Sequence, residues 1–144
     1  MKTAIFSVFA MLAMISSQAQ NSKLQLTDLP KEAQTFMSKY FKDAKIKEVK
    51  KESQIGEKGY EVELDNGTEI EFTNSGQWRE VDGDDHEIPT GYIQPAILDY
   101  VKAKYPQQKI THIDIGHKDI DVDLSNNTDL NFTQDGKFIK AKQK

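Results

Sequence analysis

Polar and apolar residues alternate strictly along Tyr60-Glu61-Val62-Glu63-Leu64 and again along Glu69-Ile70-Glu71-Phe72-Thr73. An alternation of period two predicts strands with one face buried and one face solvated. The stretch from Tyr60 to Trp78 returns from Ile120 to Phe138 at a constant shift, and every exchange at an apolar position keeps it apolar. Asp65-Asn66-Gly67 and Asn74-Ser75-Gly76 are turn clusters between the runs. Parity selects the turn. A two-residue Asn-Gly turn would pair Leu64 with Glu69 and place Val62 and Ile70 on different faces. A three-residue loop with Gly67 at positive φ in a bulge keeps Val62, Leu64, Ile70 and Phe72 together. Asn127 stands where Gly67 would recur, and asparagine tolerates the left-handed region better than most residues. Gly76 and Gly136 are predicted to close the following hairpins in the same way.

Helical spacing precedes each strand region. Ala33, Phe36, Met37, Tyr40 and Phe41 recur on one helix face, with Pro30 at its start. A second helix is predicted to open at Ile88-Pro89, about a turn longer than the first. It carries Pro95 in its first turn, shows Ile97, Tyr100, Val101 and Tyr105 on one face, and ends at Pro106. Strands Ile46 to Lys51 and Ile110 to Ile115 follow the helices. Their imperfect alternation predicts a bulge or a strong twist. The loop from Glu52 to Gly59 is longer than its counterpart around Gly116 to Asp119.

The expected fold class is therefore α+β: a tandem repeat of one helix plus a four-stranded antiparallel sheet, with repeats over residues 24–83 and 86–142. Val81 to Glu87 is read as the link between them. The helices are expected to cover the face bearing Tyr60, Val62, Leu64, Ile70, Phe72 and Trp78, and its counterpart bearing Ile120, Val122, Leu124, Leu130, Phe132 and Phe138.

The same pairing sets Glu61 opposite Glu71, Glu63 opposite Glu69, Asp121 opposite Asn131 and Asp123 opposite Asp129. Like charges across a strand pair are destabilising. One account is a solvated face, partly neutralised by Arg79 beside Glu71 and by lysines of the first strand. The other is a polar binding surface formed by Glu61, Glu63, Glu69, Glu71, Asp121, Asp123 and Asp129, facing a basic protein patch or a cation.

Residues 1–19 carry a different signal. A short basic start at Lys2, an apolar run from Ala4 to Ile15 and Ser17-Gln18-Ala19 form a secretory signal peptide, with cleavage expected between Ala19 and Gln20. The apolar run is too short for a comfortable membrane span, so no membrane anchor is expected. The expected location is periplasmic or secreted. The chain has no cysteine, which excludes disulfides, thiol chemistry and a lipidated N-terminal cysteine. About 125 residues would remain, enough for one domain or two small units sharing a core. The formal charge of −4 becomes −5 once Lys2 leaves with the leader. With no clustered basic face, nucleic acid is not an expected partner.

The densest oxygen-ligand run is Asp82-Gly83-Asp84-Asp85-His86-Glu87. Calcium takes several carboxylate and carbonyl oxygens on a flexible loop, so Asp82, Asp84 and Asp85 are the metal candidates and calcium the cofactor expected. The spacing is not that of an EF-hand, and a solvated acidic linker between the repeats is the simpler account of the run. His86, His112 and His117 show no metal-ligand spacing. The Asn-x-Thr triplets at Asn66, Asn126 and Asn131 are explained by turn and strand chemistry. There is no Gly-x-Ser-x-Gly, no phosphate-binding glycine loop and no His-Glu-x-x-His. Catalytic residues are therefore not expected, nor is an enzyme.

Leu29-Pro30 and Ile88-Pro89 opening the helices, Tyr40-Phe41 and Tyr105-Pro106 near their ends, and the Val-x-Leu, Asn-x-Thr, Phe-Thr and Gly series of the hairpins resemble the PepSY-like family with the β-lactamase-inhibitor-protein fold. The resemblance spans essentially all of residues 24–142. It implies one concave sheet with helices on the convex side, in an exported protein without enzymatic activity. It also implies a module that binds another periplasmic or secreted protein through the uncovered sheet face, an enzyme inhibitor being one form. A calcium-binding or calcium-regulated periplasmic protein is the alternative. The disulfides of the secreted inhibitors are missing from this chain, and no inhibitory residue carries over.

Overall fold

The computed structural model describes residues 23–52 and 59–144. The leader at 1–19 and most of the loop from Glu52 to Gly59 lie outside the described residues. A short 3-10 turn, Leu26–Asp28, precedes α1 (Lys31–Tyr40). Strands β1 (Ile46–Glu52), β2 (Gly59–Leu64), β3 (Glu69–Thr73) and β4 (Trp78–Asp82) follow. Then come α2 (Pro95–Lys104), β5 (Ile110–Ile115), β6 (Asp119–Leu124), β7 (Thr128–Thr133) and β8 (Phe138–Gln143). The eight strands form one antiparallel sheet in chain order, an α+β fold.

One cross-strand row explains why the sheet is continuous. Val49 pairs with Val62, Val62 with Ile70, Ile70 with Val81, Val81 with Ile113, Ile113 with Val122 and Val122 with Leu130. All seven side chains are buried. At about 1.5–3 kcal/mol for each fully buried aliphatic side chain, this row is the spine of the fold. Ala33, Phe36 and Met37 of α1 and Ile97 and Val101 of α2 belong to the same core. Phe36 meets Phe72 edge-on at 5.6 Å and stacks on Trp78 at 5.9 Å. Tyr100 meets Phe132 edge-on at 5.4 Å. Phe138 was expected on the covered face. It stacks on Tyr100 at 4.4 Å yet remains 39% exposed, because β8 is the edge strand of the sheet among the described residues.

The hairpins follow the parity argument. Glu61 pairs with Glu71, Val62 with Ile70 and Glu63 with Glu69, and their counterparts do the same. Gly67 has φ 88° and Asn127 φ 62°. In each turn an asparagine, Asn66 or Asn126, accepts the Thr68 or Thr128 N–H on its side-chain oxygen. The expected irregularities sit after Ile46 and after Ile110.

Two expectations need correction. First, α2 begins at Pro95 and has ten residues, as α1 does. Ile88 and Pro89 do not open it. Ile88 is buried, and its N–H donates to Ile110 O at 3.0 Å, which holds this segment against β5. Pro95 takes the first helical position, where a missing N–H costs nothing. The counterpart of Leu29-Pro30 is Ile93-Gln94: Leu29 and Ile93 are both buried, and Pro30 and Gln94 are the N-caps. The offset between the halves is thus larger for the helix and first strand than for the later strands, and the longer β1–β2 loop takes up the difference. Second, Val81 and Asp82 are not linker. They belong to β4, and Asp82 pairs with His112 of β5. The connection proper begins at Gly83, whose N–H donates to Thr111 O at 2.8 Å.

Gly67 and Gly76 share a backbone conformation but not an environment. A Cβ at Gly67 would meet nothing within 4 Å, whereas one at Gly76 (φ 94°) would lie 2.8 Å from Pro30 Cβ and 3.0 Å from Ala33 N. Gly67→Asn, which copies Asn127, is expected to change stability by less than about 1 kcal/mol. Gly76→Ala adds backbone strain to overpacking against α1 and is expected to lose about 2–5 kcal/mol. Urea unfolding of the two variants checks the contrast.

Candidate functional site

The face opposite the helices is built by the alternate residues of the same strands, so its register is that of the spine. One row reads Lys50, Glu61, Glu71, Glu80, Asp114, Asp121, Asn131, Lys140, each paired with the next. The row beside it reads Glu48, Glu63, Glu69, Asp82, His112, Asp123, Asp129, Lys142. Carboxylates therefore occupy consecutive strands from β2 to β6 in the first row. In the second they occupy β1 to β4, β6 and β7.

All seven residues expected to form the binding surface lie in these rows. Glu61, Glu63, Glu71, Asp121, Asp123 and Asp129 are partly buried, and Glu69 is exposed. Lys50 Nζ donates to Glu61 at 3.0 Å, Lys47 Nζ to Glu63 at 2.5 Å and Lys144 Nζ to Asp123 at 2.5 Å. Arg79 occupies the bulge between β3 and β4 and bonds Glu71, as expected from the sequence. In the second half Ile139 takes the bulge position opposite Asn131. Asn131 is buried and donates to both Asp119 and Asp121, at 3.0 and 2.7 Å.

The rows also contain residues that the hairpin argument did not reach: Glu80, Asp114 and His112. His112 Nε2 lies 2.8 Å from Glu80 Oε1, and its Nδ1 lies 3.5 Å from Asp123 Oδ2. Burial opposes the charge on His112, but the hydrogen bond to Glu80 and the fields of Asp82, Glu80 and Asp123 outweigh it and raise the pKa above its ordinary value. Asp114 is pushed up by burial and by Glu80. Glu69, although exposed overall, is pushed up by partial desolvation of its carboxylate and by the neighbouring Glu61, Glu63 and Asp82. Two acids at the middle of the face thus resist ionisation, while Glu63 beside Lys47 is held below the usual carboxylate range.

Glu80, Asp82 and His112 each offer one ligand atom, all within 4.8 Å of one another. Asp82 is thus brought to a metal-compatible group; Asp84 and Asp85 are not members of it. Asp84 takes φ 53° in the turn after β4, and its N–H donates to Asp82 Oδ1 at 2.8 Å. Asp84 and Asp85 line a cavity of about 290 Å³ at the strand ends with Thr111, Asp123, Ser125 and Lys144. His86 and His117 are exposed and lie outside the His112 group.

The chain matches the family model described as "Putative beta-lactamase-inhibitor-like, PepSY-like" over residues 14–66 and 58–140. Three solved structures from Bacteroides are similar to it. One, from Bacteroides thetaiotaomicron, is described as a "putative calcium-regulated periplasmic protein". It is 37% identical, with a TM-score of 0.80 over 84% of this chain and 95% of that one. A "putative periplasmic protein" from Bacteroides vulgatus is 32% identical, with a TM-score of 0.79 over 87% and 99%. A further structure from the same species, described as a "putative periplasmic protein of unknown function", is 31% identical, with a TM-score of 0.76 over 83% and 95%. No curated protein matches the chain in sequence. No helix among the described residues is long and apolar enough to cross a membrane. The neighbours place the protein in the periplasm, where an exported chain was expected.

The shifts fix a pH dependence. A raised pKa in the fold means that the proton is held more tightly there than in the unfolded chain, so stability falls as pH rises through the folded value. For Asp114 and Glu69 that loss comes above the ordinary carboxylate range; for His112 it comes above its ordinary value of 6.5. His112→Gln is expected to flatten stability against pH at and above neutrality. Asp114→Asn should stabilise the protein at pH 7 by about 0.2–1 kcal/mol, the range of a cross-strand charge pair. Denaturant titrations from pH 4 to 9 and NMR titration of the His112 ring measure both.

Proposed function

We propose that this chain, which belongs to the PepSY-like family, is a non-catalytic periplasmic module that binds another exported protein against the acidic open face of its sheet. The two cross-strand rows carry this reading. Like charges on adjacent strands cost stability, and a basic partner surface relieves that cost by pairing with them. Electrostatic complementarity of this kind governs partner choice and association rate. An enzyme inhibitor is the form of this function in which the bound protein is an enzyme. The two halves are read as tandem copies of one unit in the β-lactamase-inhibitor-protein-like arrangement. Matched turns at Gly67 and Asn127, and at Gly76 and Gly136, support that reading.

Calcium is the second reading. It is favoured by the grouping of Glu80, Asp82 and His112 and by the similarity to a protein described as calcium-regulated. Calcium prefers oxygen ligands and imidazole does not suit it. Glu80 and Asp82, extended by Asp84 and Asp85, would hold the ion, and His112 would serve as a hydrogen-bond partner.

The two readings separate experimentally. An exported protein captured by the wild type should be lost by the triple variant Glu80→Gln, Asp82→Asn, Asp114→Asn. It should be kept when Asp65 and Asp135, in the turns, are changed to asparagine; equal capture by all three overturns the protein-binding reading. Calcium at a hundredfold excess over its dissociation constant should add about 2.7 kcal/mol and raise the melting temperature, with chelator reversing the rise. Sodium chloride at matched ionic strength should not copy it, because screening lacks coordination. Absence of a calcium-specific shift and of binding heat at millimolar calcium would remove the second reading.

A further inference from the structure

The seam between β4 and β5 has open counterparts at the two ends of the sheet. Glu71 pairs with Glu80 and Ile70 with Val81 as Asn131 pairs with Lys140 and Leu130 with Ala141. Glu80, Val81 and Asp82 of β4 thus correspond to Lys140, Ala141 and Lys142 of β8. Val49 pairs with Val62 as Ile113 pairs with Val122. Glu48, Val49 and Lys50 of β1 thus correspond to His112, Ile113 and Asp114 of β5. Within the chain β4 and β5 pair with each other, whereas β8 and β1 are outermost and have one neighbouring strand each among the described residues.

We infer that β8 of one chain pairs with β1 of a second copy, antiparallel and in the register of the seam. The backbone is set for it. Gly83 N–H donates to Thr111 O across the seam at 2.8 Å, and alternate residues of a strand turn their N–H and C=O to the same neighbour. Val81 and Gly83 therefore face β5, and their counterparts on β8 are Ala141 and Gln143. Lys144 N–H donates to Asn127 O, on the β7 side, at 2.9 Å. The same alternation turns the polar backbone of Gln143 and Ala141 to the open edge. On β1, Lys47 and Val49 stand where Thr111 and Ile113 face β4, and they turn theirs outward. An edge of this kind is a template for another strand. Every residue of β8 is exposed, and Phe138 and Ile139, the large apolar side chains exposed among the described residues, both lie on it.

Charge selects the second strand and the register. Lys140 and Lys142 on the open face of β8 would meet their own copies if β8 paired with β8, and facing like charges oppose that. Against β1 in the seam register, Lys142 meets Glu48, Ala141 meets Val49 and Lys140 meets Lys50. The seam is built from the same three kinds of pair: Asp82 with His112, Val81 with Ile113 and Glu80 with Asp114. The junction is weaker than the seam, because Ala141 offers less apolar surface than Val81 and the chains are not tethered. Lys140 against Lys50 is the pair that holds it back. The two edges differ, so the contact is heterologous, and each added copy leaves one edge of each kind open. The acidic face takes no part as a binding site, so the junction is independent of what that face binds.

Sedimentation velocity on the full exported chain, over a concentration series reaching the millimolar range, tests this. The wild type should pass from monomer to dimer, trimer and longer species. Lys140→Glu, which sets a carboxylate against the second copy's Lys50, should tighten association by about fivefold. Lys142→Glu, two residues away, should weaken it by about the same factor, and adding Glu48→Lys should restore it. Ala141→Pro removes an edge-facing N–H and should abolish association. Melting curves establish that each variant is folded, and Lys140→Glu reads a gain that a damaged fold would not produce. Monomers at every concentration for both the wild type and Lys140→Glu overturn the inference. So does association that survives Ala141→Pro, a shift in the same direction for Lys140→Glu and Lys142→Glu, or growth that stops at a dimer.

Discussion

Everything in this molecule depends on the pairing of β4 with β5. Three residue pairs make it: Glu80 with Asp114, Val81 with Ile113 and Asp82 with His112. The outer two pairs put charge against charge, and only the central pair is apolar. Facing carboxylates cost about 0.2–1 kcal/mol. Burying Val81 and Ile113 stabilises the seam by about 1.5–3 kcal/mol each, so the apolar term wins and the acidic pair is carried along. The N–H of Gly83 and that of Ile88, bonded to Thr111 and Ile110, prolong the contact beyond the strands proper. Without this short ladder the helix-backed halves would remain separate sheets, and neither the spine nor the acidic rows would cross the midline.

The two faces of each strand perform opposite tasks with one backbone. The inner residues are buried under α1 and α2, and in a chain without cysteine that burial must carry the fold. The outer residues collect negative charge, and the fold limits the consequence locally. Lysines neutralise the flanks, Arg79 bonds Glu71 in the first half, and in the second, where Asn131 stands at the place of Glu71 and Ile139 at that of Arg79, an amide bonding Asp119 and Asp121 replaces the carboxylate. The lysines of β1 and β8 also sit on the two open edges of the sheet. Charge there discourages edge-to-edge pairing with another sheet.

On the two readings proposed above, a cation and a basic protein would draw on the same carboxylates. Glu80 and Asp82 belong both to the metal-compatible group and to the cross-strand rows. A calcium ion there would reduce the field that attracts a cationic partner, and a bound partner would displace the ion. His112 sits between Asp82 and Asp123, and its protonation acts in the same direction as a cation. On those readings, partner, metal and pH would be linked through one small region at the seam.

What lies within a hairpin was legible in the sequence. Parity through a three-residue loop determined that Val62 and Ile70 face the core together. It also set Glu61 against Glu71 and placed Gly67 and Asn127 at positive φ, because a turn fixes register through local backbone geometry. What crosses between the halves was not legible. The register of β4 on β5 is set through α2 and the packing of the spine, so Glu80, Asp114 and His112 could not be assigned to the face from alternation alone. The start of α2 was misplaced for a related reason. Ile88-Pro89 has the look of a helix opening, but the bond from Ile88 to Ile110 is a tertiary contact that holds the segment against the sheet. The sequence by itself determined the elements, the hairpin pairings and the acidity of one face. Tertiary structure decided that two acidic patches are one continuous surface, because only long-range strand pairing could bring β4 and β5 into register.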